Sequence, residues 1–212
     1  MKLSWNEMTV ADYIRLREIS KLQMATEDEK NLMVAALIAE KPYQEILQLP
    51  LDKARELMDK TEFLLHQPVP GKTKRKYELN GRTYSLFKDP SEMSVAQYID
   101  FAAIEKEGFD KMPGEMLAIF LVPDGHQYND GYDKEQQIED MMDMSITEAL
   151  GVCSFFTKRL SKSINLIMTA LRIRIKWMRI TAKKEDREMM KALEIQMRLY
   201  LNEIEHIYGL IL

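Results

Sequence analysis

Apolar positions recur along this chain at the three- and four-residue spacing of amphipathic helices, interrupted by short polar or proline-containing gaps. The first such stretch opens at Thr9, a hydroxyl residue suited to cap a helix. It is predicted to run to about Ser20 and to bury Val10, Tyr13, Ile14, Leu16 and Ile19. Thr26-Glu27-Asp28-Glu29 has the spacing of a capping box, ahead of the apolar run Leu32, Met33, Ala36 and Leu37. Pro42 suits the first turn of a short helix ending at Leu47. Leu49-Pro50-Leu51-Asp52 then breaks and restarts the chain. A helix from Leu51 to about His66 follows, its core face made of Ala54, Leu57, Met58 and Leu65 with Phe63 or Leu64.

Alternation replaces helical spacing at one place. Tyr77-Glu78-Leu79 and Thr83-Tyr84-Ser85-Leu86 flank Asn80-Gly81, a pair that readily takes the positive φ of a two-residue hairpin turn. Gln67 to Lys76, before it, reads as a basic linker containing Pro and Gly. A lone hairpin is marginal in water, so it must pack on helices or gain a strand, for which Lys2 to Trp5 is the candidate. Helical spacing returns with Ser94 capping Val95, Tyr98, Ile99 and Ala102. An apolar helix is expected over about Glu115 to Leu121, ended by Pro123.

Two blocks of this pattern occur twice. Glu7 to Ile14 reads EMTVADYI and Glu92 to Ile99 reads EMSVAQYI, identical at six of eight positions. Tyr43 to Ala54 (YQEILQLPLDKA) aligns by its apolar positions with Ile138 to Ala149 (IEDMMDMSITEA). The first pair is offset by 85 residues and the second by 95, so a ten-residue excess is expected within Val122 to Asp133. The expected architecture is mainly α: duplicated helical units, one β-hairpin between them, and a long C-terminal helix or helical hairpin. Its boundaries are residues 1–75 for the first repeat and linker, 76–160 for the hairpin and second repeat, and 161–212 for the extension. Units this small bury little surface alone, so the repeats are expected to pack apolar face to apolar face.

The extension lacks Gly and Pro from Ser161 to His206. Ile164, Ile167, Leu171, Ile175 and Met178 form one apolar stripe; Met189, Leu193, Met197, Tyr200, Ile204 and Ile207 form another. The polar stretch Thr181 to Glu188 between them is either part of one long helix, continuous or kinked, or the turn of a hairpin. Continuity fits better, since no Gly, Asn or Pro stands there.

Composition narrows the function. With 46% hydrophobic and 30% charged residues the chain is that of a folded globular protein, and only 8 Gly and 7 Pro argue against a β-sandwich. One cysteine, Cys153, excludes an internal disulfide and fits a reducing cytosol. MKLSWNEM offers no apolar core for a signal peptide, and the longest apolar run, Met116 to Val122, is far short of a membrane span, so no membrane partner is expected. Sixteen Met fill ordinary helical cores or furnish surfaces that adapt to several partners.

Charge is placed unevenly. Lys158 to Lys184 holds nine Lys or Arg and no acid, while Asp133 to Glu148 holds six carboxylates and one lysine. Lys158, Arg172, Lys176, Arg179 and Lys183 share one helical face, and with Trp177 they are the candidate partner-binding residues. Such a face is either solvated or bound to an acidic protein surface or nucleic acid. Acidic and basic segments in one chain also permit head-to-tail contacts between copies, hence a homo-oligomer.

Catalytic and metal patterns fail. Gly71-Lys72-Thr73 ends like a phosphate-binding loop but has His66 where Gly is required. Asp124 to Asp133 places His126 and Tyr128 at the ligand positions of a calcium loop and Gln137 where a bidentate Glu belongs. His66, His126 and His206 lie too far apart in sequence for metal-ligand spacing, and Cys153 reads as a buried structural thiol. No enzyme and no cofactor is expected.

The order of a capped TVADYI helix, LPLDKARELMDKTEFL, YELNGRTYSL and EMSVAQYIDFA resembles tail assembly chaperone-like proteins from the tail-assembly regions of bacteriophages of gut and marine bacteria. The resemblance spans roughly Thr9 to Arg159 and leaves the basic extension unmatched. It implies a non-enzymatic protein of the infected host's cytoplasm that shields apolar segments of a tape-measure or other tail protein. The alternative is a structural component of the virion, at the neck, tail or interior, whose basic helix contacts subunits or DNA.

Overall fold

Polar side chains fix where several of the described helices begin. In the computed structural model, which describes residues 1–156 apart from 24, 88, 90, 91, 106–108 and 110, three helix starts carry reciprocal caps. The Thr9 N–H donates to Asp12 Oδ2 at 2.9 Å and the Asp12 N–H to Thr9 Oγ1 at 3.1 Å, opening α1 (Val10–Lys21). Thr26 and Glu29 do the same for α2 (Glu27–Ala39). Ser94 and Gln97 do so at 2.9 and 3.2 Å for α5 (Val95–Glu105). Each box satisfies amides that a helix start otherwise leaves unpaired.

Between α2 and α5 come α3 (Tyr43–Leu47), α4 (Leu51–Asp59), a 3-10 turn (Glu62–Leu65), β1 (Lys76–Leu79) and β2 (Arg82–Leu86). After α5 follow α6 (Pro113–Phe120), β3 (Leu121–Pro123), α7 (Lys134–Met142) and helical residues 146–156, here α8. The described residues are thus mainly helical, with a small antiparallel sheet in the order β1-β2-β3. Contacts divide the chain into Met1–Ser154 and Phe155–Leu212, and everything below concerns the first unit. The expected boundary at 75/76 falls inside it. The extension at 161–212 lies outside the described residues.

The core centres on α6. Met116 to Phe120 are all buried, which is why this helix is apolar all round, and it packs against α5 on one side and α7 on the other. Gly114 lets α7 close in, since a Cβ there would stand 3.0 Å from Ile138 Cγ2 and 3.2 Å from Met142 Sδ. Two buried glutamines catch carbonyls at its C-terminal end. Gln97 Nε2 donates to Ile119 O at 2.8 Å, and Gln137 Nε2 to Ala118 O at 2.9 Å and Leu121 O at 2.6 Å.

The helix forms about where it was expected, ending at Phe120, but Leu121–Pro123 goes on as the unanticipated third strand, pairing Leu86 with Leu121 and Ser85 with Val122. Pro123 suits an edge strand, where its missing N–H costs no ladder bond. Lys2 to Trp5 does not supply that strand. The Lys2 N–H instead donates to Ile38 O at 2.8 Å, and its ammonium pairs with Asp12. Burial by itself would raise the Asp12 carboxyl. Lys2, together with the Thr9 amide and hydroxyl, outweighs it and holds the group below its usual range.

The hairpin forms as predicted, with Asn80 and Gly81 at φ of 49° and 76°. The helix expected to reach His66 instead stops at Asp59, where the Thr61 N–H and hydroxyl both bond Met58 O, at 2.9 and 2.7 Å. Trp5 Nε1 then donates to Phe63 O at 3.2 Å and His66 O at 2.8 Å, holding the chain in its tighter turn. Leu65, predicted as core, is exposed. The expected linker, Gln67 to Lys76, does join the 3-10 turn to β1, which takes Lys76 as its first residue, and it is held in place. The Gly71 N–H donates to Thr147 O at 2.7 Å and Lys74 pairs with Glu148 at 2.5 Å, laying the segment along α8.

Equivalent positions of the two aligned blocks make the same backbone bonds. Gln48 N–H to Glu45 O (3.3 Å), Leu49 to Ile46 (3.1 Å) and Ala54 to Pro50 (3.0 Å) match Asp143 to Asp140 (3.2 Å), Met144 to Met141 (3.3 Å) and Ala149 to Ser145 (2.9 Å). The connection from α2 to α3 is residues 40–42, whereas that from α6 to α7 is 121–133 and contains β3, ten residues longer.

Candidate functional site

Among the described residues, the densest polar cluster is built around Asp140, on the inner face of α7. Its side chain is fully buried and receives Arg82 Nε at 2.6 Å, Arg82 Nη2 at 2.8 Å, Asn80 Nδ2 at 3.0 Å and the Tyr84 hydroxyl. Asn80 also reaches Asp143 at 2.9 Å. The hairpin turn and strand β2 carry all of these donors, so one carboxylate fastens the sheet to α7. The Arg82 guanidinium holds the Asp140 carboxyl far below its usual range against the opposing effect of burial, with Tyr84 and Asn80 adding to it. Burial and the Asp140 charge push the Tyr84 hydroxyl up to about 12. At neutral pH Asp140 therefore stays ionised and Tyr84 stays protonated, which suits an anchor and not an acid–base pair.

An open cleft of about 600 Å³ lies beside this anchor, lined by Arg82, Tyr84, Asp124, His126, Tyr132 and Gln136 among others. Asp124 is engaged by Lys76 Nζ at 2.6 Å and Ser85 Oγ at 2.5 Å, both of which hold it below its usual range. The stretch that only half fits a calcium loop thus has its first carboxylate committed to the hairpin. Among the described residues no group of three His, Cys, Asp or Glu side chains is placed to hold a metal, and no helix is long and apolar enough to cross a membrane. Burial pushes the Cys153 thiol up to about 12, far from a nucleophile's range.

The second feature is an apolar face turned outward. In α5 the capping residue Gln97 points inward to Ile119, so the residues that flank it face away from the core. Tyr98 is 57% exposed and Ile99 60%. Their counterparts in α1, Tyr13 and Ile14, are half-buried, and Trp5 stacks edge-on against Tyr13 at 6.3 Å. Asp12 and Gln97 are both buried, so the near-identical peptides turn the same position inward, and the apolar pair that follows is half-covered in α1 and exposed in α5. Isolated apolar side chains are common on protein surfaces, but two adjacent ones with Val95 a turn away make a stripe.

The sequence-predicted partner residues Lys158, Arg172, Lys176, Trp177, Arg179 and Lys183 all lie outside the described residues. The Asp140 anchor was not visible in the sequence, where Asp140 was one carboxylate of an acidic run. The α5 stripe was visible, but as core. No known protein family, curated protein or solved structure matches this chain.

Proposed function

We propose that this chain is a duplicated helical, non-enzymatic assembly protein of a bacteriophage, which holds apolar helical segments of a tail protein in the infected cell before the particle is built. The exposed stripe of Tyr98 and Ile99 on α5 carries this reading. An amphipathic helix binds by laying an apolar face onto such a surface, with anchors spaced at helical intervals. The Asp140 anchor and the glutamine-capped α6 supply a rigid base for it, which limits the ordering cost of binding. The repeated backbone bonds at 45–54 and 140–149 support descent of the two halves from one unit.

The test is coexpression of the full chain with the tape-measure protein of the same phage, followed by affinity capture and titration of the purified pair. Wild type is expected to retain the tail protein, and Y98E/I99E to lose at least about tenfold in affinity, since each buried side chain is worth about 1.5–3 kcal/mol. Absence of any complex with wild type refutes the function. Undiminished binding by Y98E/I99E refutes the site.

A further inference from the structure

One backbone contact in this protein is built twice and closed once. The Val10 N–H donates to Met144 O at 2.9 Å and the Ile146 N–H to Met8 O at 2.8 Å, framing an antiparallel bridge between Thr9 and Ser145. The Val10 and Ile146 side chains are fully buried there. It joins the start of α1 to the break between α7 and α8.

The offsets of 85 and 95 residues carry each half of this contact to a second place. Met8-Thr9-Val10 becomes Met93-Ser94-Val95, and Met144-Ser145-Ile146 becomes Leu49-Pro50-Leu51. The local backbone is the same at both. Ser94 caps α5 as Thr9 caps α1, and the Leu49 and Met144 amides close the same turn onto Ile46 and Met141. Val95 is nevertheless 77% exposed and Leu51 68%. Among the described residues the two second edges do not bridge each other.

We infer that a second copy of this chain completes the contact, Met93–Val95 of one copy pairing with Leu49–Leu51 of the next. The closed contact shows which partner each edge takes, and the sequence carries both edges in matching form. Proline at the bridge position is no obstacle. In this register the two bonds come from the residues flanking the bridge, as Val10 and Ile146 show, so the amide that Pro50 lacks is unused. The contact joins two different patches, so it either closes as a two-fold exchange or passes from copy to copy.

The experiment uses purified full-length chain alone, so the tail-protein reading plays no part, and Tyr98 and Ile99 stay intact. Sedimentation equilibrium is run over a concentration series on wild type, V95D, L51D and an equimolar mixture of the two variants. Both substitutions fall on the first residue of a helix, where an acidic side chain suits the helix dipole, and circular dichroism checks the fold. Should an aspartate disturb it, V95S and L51S carry the same test. Wild type is expected to self-associate and each variant to do so at least about tenfold more weakly. The mixture is expected to recover heterodimer, because the L51D copy still offers an intact Val95 edge to the intact Leu51 edge of V95D. A monomeric wild type, association unaffected by either substitution, or a mixture no better than its parts overturns the inference.

Discussion

Gly151 and Gly71 approach so closely that a Cβ on Gly151 would stand 2.5 Å from the Gly71 carbonyl oxygen. Backbone, not a flexible side chain, occupies that space, and the contact is reinforced by Thr73 Oγ1 donating to Gly151 O at 3.4 Å. The segment that joins α4 to the hairpin is therefore strapped to α8. It couples the first four helices to α8.

Gly151→Ala is accordingly expected to lower unfolding free energy by about 1–3 kcal/mol, as overpacked sites do. Gly71→Ala meets Thr147 O at 3.1 Å, a milder crowding, and is expected to cost less. Urea unfolding followed by circular dichroism measures both. Equal stability of Gly151→Ala and wild type is incompatible with the strap.

Asp140→Ala strips the hairpin of its anchor and leaves Arg82, Asn80 and Tyr84 without their shared acceptor. The expected loss is about 2–4 kcal/mol, below the range for a fully buried pair because Arg82 is partly solvated.

The pH dependence of that anchor has a definite sign. The folded Asp140 carboxyl ionises well below its unfolded value of 3.8, so its stabilisation is complete above that value and is lost as pH falls through the folded one. The stability gap between wild type and Asp140→Asn is expected to be widest near neutrality and to shrink below about pH 4. Chemical denaturation at pH 7 and pH 3 reads it. A gap that widens in acid contradicts the assignment.

Gln97 does two jobs, closing the α5 cap and holding the Ile119 carbonyl. Gln97→Leu leaves both partners unpaired and is expected to cost about 1–3 kcal/mol. Ser94→Ala removes only the hydroxyl of the cap and is expected to cost about 1 kcal/mol. Thermal denaturation ranks the two, and Gln97→Leu should melt lower.

Local chemistry was legible in the sequence wherever neighbours decide it. Thr9, Thr26 and Ser94 cap because the residue three places on completes the box, and Asn80-Gly81 turns because both residues tolerate positive φ. Long-range choices were not. Asn80, Arg82 and Tyr84 precede Asp140 by 60, 58 and 56 residues, so an anchor made from them leaves no local trace. Leu121–Pro123 became a strand by pairing with β2, far earlier in the chain, and Lys2 lost its strand role to Asp12. Most tellingly, Val10 and Val95 stand in the same motif with opposite exposure. How far a repeated peptide is covered depends on what packs across from it, and that is set outside the peptide.

The proposed function requires this chain to act on a tail protein and then to leave it. Quantitative mass spectrometry of infected cells and of purified virions from the same culture tests that directly. The prediction is a complex with the tape-measure protein in the cells and no copies of this chain in the finished particle. Stoichiometric copies in purified virions would contradict it and make the chain a structural component of the particle instead.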